Sequence, residues 1–188
     1  AKLGRSLFER GQIITTPFVV GCSMGRNLGA RAARGRWTIF IDDDGIPKSG
    51  CVQALTECAR DTGAAFIRGR VFPLTHGPKT NSSNYDLGDD RLHSLLNAEG
   101  VSMVKTQAFL AFGGFDPILA GHEGIELSAR MWPFFGPRGF WYEPNAVLLH
   151  DYSHDASAAA RKNRRHARMK AYIDATTPNA FPLHVALK

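Results

Sequence analysis

Cysteine is scarce in this chain: Cys22, Cys51 and Cys58 are the only three among 188 residues. Their odd number, with no CxxC pair and no zinc-type spacing, argues against a disulfide framework or a structural zinc site, and buried or free thiols are expected instead. Apolar runs of membrane-spanning length are also missing, and no signal-peptide core follows Ala1-Lys2-Leu3-Gly4-Arg5. The expected location is therefore cytoplasmic, with association at a membrane surface as the alternative. Internal repeats and low-complexity tracts are absent, which weighs against repeat architectures and disordered arrays.

What is present reads as one globular domain spanning 1–188. Hydrophobic residues make up 44% and charged residues 21%, an ordinary balance for a folded unit, and the length suits one substantial core. Lysine and arginine exceed the acids by 23 to 17, giving a net charge of +6, which fits an anionic partner such as a nucleotide, a nucleic acid or a lipid surface. Much of that excess lies in residues 153–174, where Arg161, Lys162, Arg164, Arg165, Arg168 and Lys170 recur in a helix-forming stretch. The plain reading is a solvated basic helix. A membrane-surface role needs an apolar opposite face, and Ala160, Ala167, Met169 and Ile173 make a weak one. No aromatics interleave with these basic residues, so a nucleic-acid interface is not expected.

Residues Ile13 to Val20 are β-rich around Pro17, and Asn27 to Arg34 reads as a short helix ended by Gly35. The run Trp37 to Ile41 reads as a buried strand, Lys48 to Thr62 as a helix burying Val52, Leu55, Cys58 and Ala59, and Ala64 to Phe72 as a strand. From Pro73 to Asp90 the composition turns to Gly, Pro, Asn, Ser and Asp, which predicts a long flexible loop beside a site. Val101 to Val104 predicts a short strand, Thr106 to Phe112 a helix stopped by Gly113-Gly114, Gly124 to Met131 a helix, and Gly139 to Leu149 a strand ending toward His150. Strands alternating with helices give an α/β class.

The densest chemistry lies where the strand Trp37 to Ile41 runs into Asp42-Asp43-Asp44 and then Gly45-Ile46-Pro47. A buried strand that ends in carboxylates delivers them to the sheet edge at which open α/β sheets bind ligands. Mg²⁺ and Mn²⁺ prefer carboxylate oxygens and complete their shells with phosphates and water, so a metal–diphosphate site is one reading and a solvated polar turn the other. Ahead of the triplet, Arg26 and Asn27 at a predicted helix start could meet phosphate or ribose. Beyond it come Gly113-Gly114-Phe115-Asp116-Pro117 and Gly121-His122-Glu123-Gly124-Ile125-Glu126, whose acids open a helix.

Taken in order, Arg26 to Gly35, Phe40 to Asp44, Asn97 to Asp116, Glu123 to Arg130 and His150 resemble the motifs of nucleotide-sugar-dependent family 2 glycosyltransferases, which have the GT-A fold. The resemblance runs through nearly the whole chain. It implies a three-layer sandwich around a mainly parallel mixed sheet, and transfer of a sugar from a nucleoside-diphosphate donor, UDP favoured, to a carbohydrate, lipid-linked or small-molecule acceptor hydroxyl with inversion. It implies Mn²⁺ or Mg²⁺ held by Asp42, Asp44 and His150, and donor contacts from Arg26, Asn27, Asp42, Asp43 and Asp44. Acceptor contacts would fall to Gly114, Phe115, Asp116 and His122. The family base is usually an Asp at the position that Gly124 occupies here, so Glu123 takes that role by implication, with Glu126 second. The first strand–loop–helix unit that holds the donor base in the family is unmatched, and the sheet edge it would leave calls for a partner segment or a second chain. Two other readings stand beside this one. A nucleotidyltransferase would need a glycine-rich phosphate loop with a lysine near the N-terminus, which is absent. A non-catalytic nucleotide-sugar-binding module would accommodate Gly124 as a lost base.

Overall fold

The apolar runs and helical stripes of the sequence assemble around one mixed sheet. The computed structural model describes residues 11–74, 85–150 and 156–187. The helices are α1 (Cys22–Ala32), α2 (Cys51–Thr62), α3 (Thr106–Ala111), α4 (Glu123–Phe135), α5 (Ala156–Thr176) and α6 (Ala180–Ala186). The strands are β1 (Trp37–Ile41), β2 (Gly45–Pro47), β3 (Phe66–Phe72), β4 (Leu92–His93), β5 (Val101–Lys105) and β6 (Phe140–His150). They are ordered β1-β5-β3-β6-β2, with β4 added to β6.

Side chains alternate across the sheet, and this splits the core in two. On one face Phe40, Phe66, Val104 and Phe140 pack with Phe109, Phe115, Ile125 and Met131 from the α3–α4 region and with Ile173 of α5. On the other face Ile67, Val71, Val101, Met103 and Leu148 pack under Cys51, Leu55 and Cys58 of α2. The result is three layers. Cys51, Ala54, Leu55, Cys58 and Ala59 form the buried stripe of α2, whereas Val52, assigned to that stripe above, is 53% exposed because it lies about a quarter-turn away from it.

Strand direction differs from the expectation of a mainly parallel sheet. Only β3 and β6 pair in parallel, and β1·β5, β3·β5, β2·β6 and β4·β6 are antiparallel. β1, β3 and β6 do share one direction, but β5 is inserted between the first two and runs the other way. A buried strand reads as a continuous apolar run in either orientation, so composition does not carry its direction.

The β-rich segment Ile13 to Val20 forms no strand, and Ile13, Phe18 and Val19 are exposed. Pro17 removes a backbone donor, and among the described residues no strand lies beside this segment to complete a ladder. β1 sits at the end of the strand order and, among the described residues, pairs on one side only. The predicted loop at 73–90 falls in part on residues 75–84, outside the described residues.

Candidate active site

Register brings the acids together. β1 and β5 pair with Ile41 opposite Val101, so the residue after β1 meets the residue before β5, and Asp42 N–H donates to the Gly100 carbonyl at 3.0 Å. A Cβ at Gly100 would fall 1.9 Å from Asp42 Oδ2, so glycine here leaves room for that carboxylate. A turn closed by Gly45 N–H to the Asp42 carbonyl at 3.1 Å then feeds β2, whose first residue Gly45 pairs with His150 at the end of β6. Asp44 thus lies beside His150, with Oδ1 at 2.9 Å from Nε2. β6 has the length to reach this edge because it absorbs Pro144 in an irregularity, where the β3 register shifts between Arg68 and Arg70.

Asp42, Asp44 and His150 each offer one ligand atom, and those atoms lie within 4.8 Å of one another. Two carboxylates and an imidazole suit a divalent cation that keeps further positions for water and phosphate oxygens. Asp43, the middle acid, is exposed.

Beneath this rim lies a second, more enclosed acidic group centred on Arg26. The guanidinium bonds Asp42 Oδ1 at 2.6 Å and Glu123 Oε1 at 3.1 Å. Burial opposes the Arg26 charge, yet Glu99, Asp42 and Glu123 more than offset it and hold the group above its ordinary value. Glu123 is buried at the first position of α4. Glu99 comes from the turn before β5, and its Oε1 accepts the Gly124 N–H at 2.7 Å. Burial first and Glu123 second push the Glu99 carboxyl up to about 7, against the opposing pull of Arg26 and of backbone N–H groups.

Several residues assigned to donor, acceptor or catalytic roles are bonded or packed within the fold. α1 begins at Cys22, earlier than the sequence predicts, so Arg26 and Asn27 lie inside the helix and no helix-start amides accompany them. Asn27 is buried and exchanges two hydrogen bonds with the Phe115 backbone, at 2.7 and 2.9 Å, pinning the Gly114 turn. Phe115 is fully buried against Phe40 and Phe109 and offers no surface to an acceptor. Asp116 caps its own turn through Ile118 N–H and accepts Tyr172 O–H of α5 at 2.9 Å, and the Gly114 carbonyl is held by Arg130. Glu126, the second candidate base, is buried and bonded twice by Arg130, at 2.5 and 2.9 Å, and the same guanidinium donates to the Phe112 and Gly114 carbonyls. His122 caps α4 in a left-handed conformation with φ 64° and packs against His166 and Phe181.

Asp42, Asp44, His150, Arg26 and Glu123 are therefore brought together, while Asn27, Gly114, Phe115, Asp116 and Glu126 support them from the interior. Sequence reasoning did not single out Glu99 as a site residue. Its signal was an acid directly before the glycine that opens β5, beside the turn that faces the aspartate triplet.

Residues 3–115 match the family described as Glycosyl transferase family 2. The pre-mycofactocin glycosyltransferase of Mycobacterium tuberculosis, found in strains CDC 1551 / Oshkosh and H37Rv, is 27% identical over 154 residues, covering 75% of this chain and 32% of the relative. The chain thus spans about a third of the length of the curated relatives it matches. Among solved structures, GalNAc-T7 with UDP, GalNAc and Mn²⁺ superposes with a TM-score of 0.52 at 18% identity, over 70% of this chain and 30% of that one. TarS 1-349 of S. aureus in complex with UDP-GlcNAc gives 0.52 at 12% identity, over 76% and 43%. These likenesses carry the fold, GT-A, and the match across more than half of the sequence carries the family: the chain belongs to glycosyl transferase family 2.

Proposed function

We propose that this chain is the catalytic part of a divalent-metal-dependent glycosyltransferase that moves a sugar from a UDP-sugar to an acceptor hydroxyl with inversion. The observation that carries the reading is the convergence of Asp42, Asp44 and His150 at the sheet edge, from the turn after β1 and the end of β6. Two structures of the same fold were solved with UDP or a UDP-sugar, one of them with Mn²⁺, which supports UDP as the donor nucleotide. The relative is named a pre-mycofactocin glycosyltransferase, which supports glycosyl transfer as the reaction.

Asp42, Asp44 and His150 would hold Mn²⁺ or Mg²⁺, which when bound stabilises negative charge on the departing diphosphate. Arg26 orients Asp42 and Glu123 with one guanidinium, so the rim and the pocket behind it keep a fixed spacing. Glu123 lies at the first turn of α4, where the helix dipole favours its charge, and serves to position the acceptor side of the site.

Isothermal titration of the chain with UDP, with and without Mn²⁺, tests the proposal. Metal-dependent binding is expected, and Asp44→Ala is expected to abolish it while leaving the melting temperature unchanged. Binding that Asp44→Ala leaves intact would refute the metal role. Metal-dependent binding with no release of UDP from any UDP-sugar would instead favour the non-catalytic binding module, the reading that Gly124 alone supports.

A further inference from the structure

We propose that Glu99 is the proton acceptor of the transfer reaction, reaching the acceptor hydroxyl from the turn before β5. The inference rests on the glycosyltransferase reading given above. Transfer to a hydroxyl requires a group that takes the hydroxyl proton as the new bond forms. The acceptor oxygen bonds to the anomeric carbon, the bond from that carbon to the diphosphate oxygen breaks with its electron pair leaving on the diphosphate, and the hydroxyl proton passes to a Glu99 carboxylate oxygen. Atoms and charge balance with no further reagent.

The assignment follows from how the other carboxylates are engaged. Asp42 bonds Arg26, and Asp44 bonds His150. Glu123 bonds Arg26, and Glu126 is held twice by Arg130. Glu99 is the member of this group that accepts only backbone N–H donors among the described residues, from Gly124 and from its own position. The residue is partly buried, and its carboxylate sits against the first turn of α4 beside Glu123 and the Gly124 N–H.

Gly124 explains why the carboxylate comes from position 99. A Cβ at residue 124 would fall 1.8 Å from the Leu96 carbonyl oxygen and 2.7 Å from Glu99 Oε1. The main chain of the 95–99 segment closes that space, and Leu96 N–H is tied to Ser128 Oγ at 3.0 Å, so the segment is fixed along the first turns of α4. The absent side chain at 124 is what lets Glu99 sit against the start of the helix. The groups facing Glu99 are Arg26 from α1, Glu123 and the Gly124 N–H from α4, and Tyr85, whose hydroxyl feels the Glu99 charge. A carboxyl poised near neutrality in such a setting is suited to accept a proton under ordinary conditions.

Glu99→Gln tests this, because the amide keeps an oxygen for the Gly124 N–H and removes the basicity. UDP release from UDP-glucose, UDP-galactose and UDP-GlcNAc with Mn²⁺, to water and to simple sugar acceptors, is measured from pH 5.5 to 9 beside UDP binding and thermal melting. The expected result is UDP–Mn²⁺ affinity within about twofold of wild type, a kcat lowered by about 100-fold or more, and loss of the acidic limb of the kcat profile. Glu99→Asp should recover part of the rate. A Glu99→Gln protein that keeps a third or more of the wild-type kcat with its acidic limb intact overturns the proposal. So does a variant in which binding, stability and rate fall in step, which marks a structural role. Wild-type protein that binds UDP–Mn²⁺ yet releases no UDP from any of the three donors overturns the Glu99 role and leaves the donor site standing. Absence of UDP–Mn²⁺ binding overturns the transferase reading itself.

Discussion

The two acidic groups that meet at Asp42 differ in what balances their charge. At the rim, the side chain of Asp44 is 68% exposed and lies beside His150, open to water. In the pocket behind, the side chain of Glu123 is 7% exposed and its counter-charge is supplied by Arg26. Exposed carboxylates at a sheet edge are available to a cation arriving from solution, whereas enclosed ones must be neutralised by the fold itself or give up their charge. Glu99 lies between these cases: it faces the field of Arg26 without bonding it, and its carboxyl is raised to about 7. The difference separates the proposed metal site from the proposed place of proton transfer.

Removing the shared cation should break this comparison most severely. Arg26→Leu leaves Asp42, Glu99 and Glu123 without a counter-charge and should cost about 3 kcal/mol or more of stability, read as a lower denaturation midpoint. Gly124→Ala should come next, at roughly 1–3 kcal/mol, since its methyl meets the Leu96 main chain and forces the 95–99 segment away from α4.

A pH series sharpens the contrast from the other side. A carboxyl whose folded value lies above its unfolded value contributes most below the unfolded value, and stability falls as pH rises through the folded one. Wild-type stability should therefore decline between about pH 4.5 and 7 on account of Glu99. Glu99→Gln should raise the melting temperature above pH 7, with the gain vanishing toward pH 4.5. Asp44→Ala at the exposed rim should change stability by no more than about 0.5 kcal/mol while removing Mn²⁺-dependent UDP binding. An effect confined to acid pH is expected at His166, which burial and then His122, Lys162 and Arg165 lower to about 4. Its depressed value means that stability present above about pH 6.5 is lost as pH falls toward 4, and His166→Gln should flatten that step in an acid melt.

Most elements were legible because their signals are local. The run Trp37 to Ile41, the stripe of α2 and the glycines after α2 and α3 each declare themselves within a few residues. Ile13 to Val20 misled for a complementary reason, since β propensity describes how a segment fits a neighbouring strand and none lies beside it among the described residues. Asn27, Phe115 and Glu126 belong to motifs that sit at the site in sequence order, yet each points into the core, and motif spacing carries no information about side-chain direction.

The sequence by itself determined the α/β class, the carboxylates at the end of β1 and the family, because periodicity, turn residues and motif order are written along the chain. Only the tertiary structure decided strand direction, the pairing of Asp44 with His150 and the placing of Glu99 against Gly124. Those depend on register between segments far apart in sequence, where a single-residue slip would send every side chain to the opposite face.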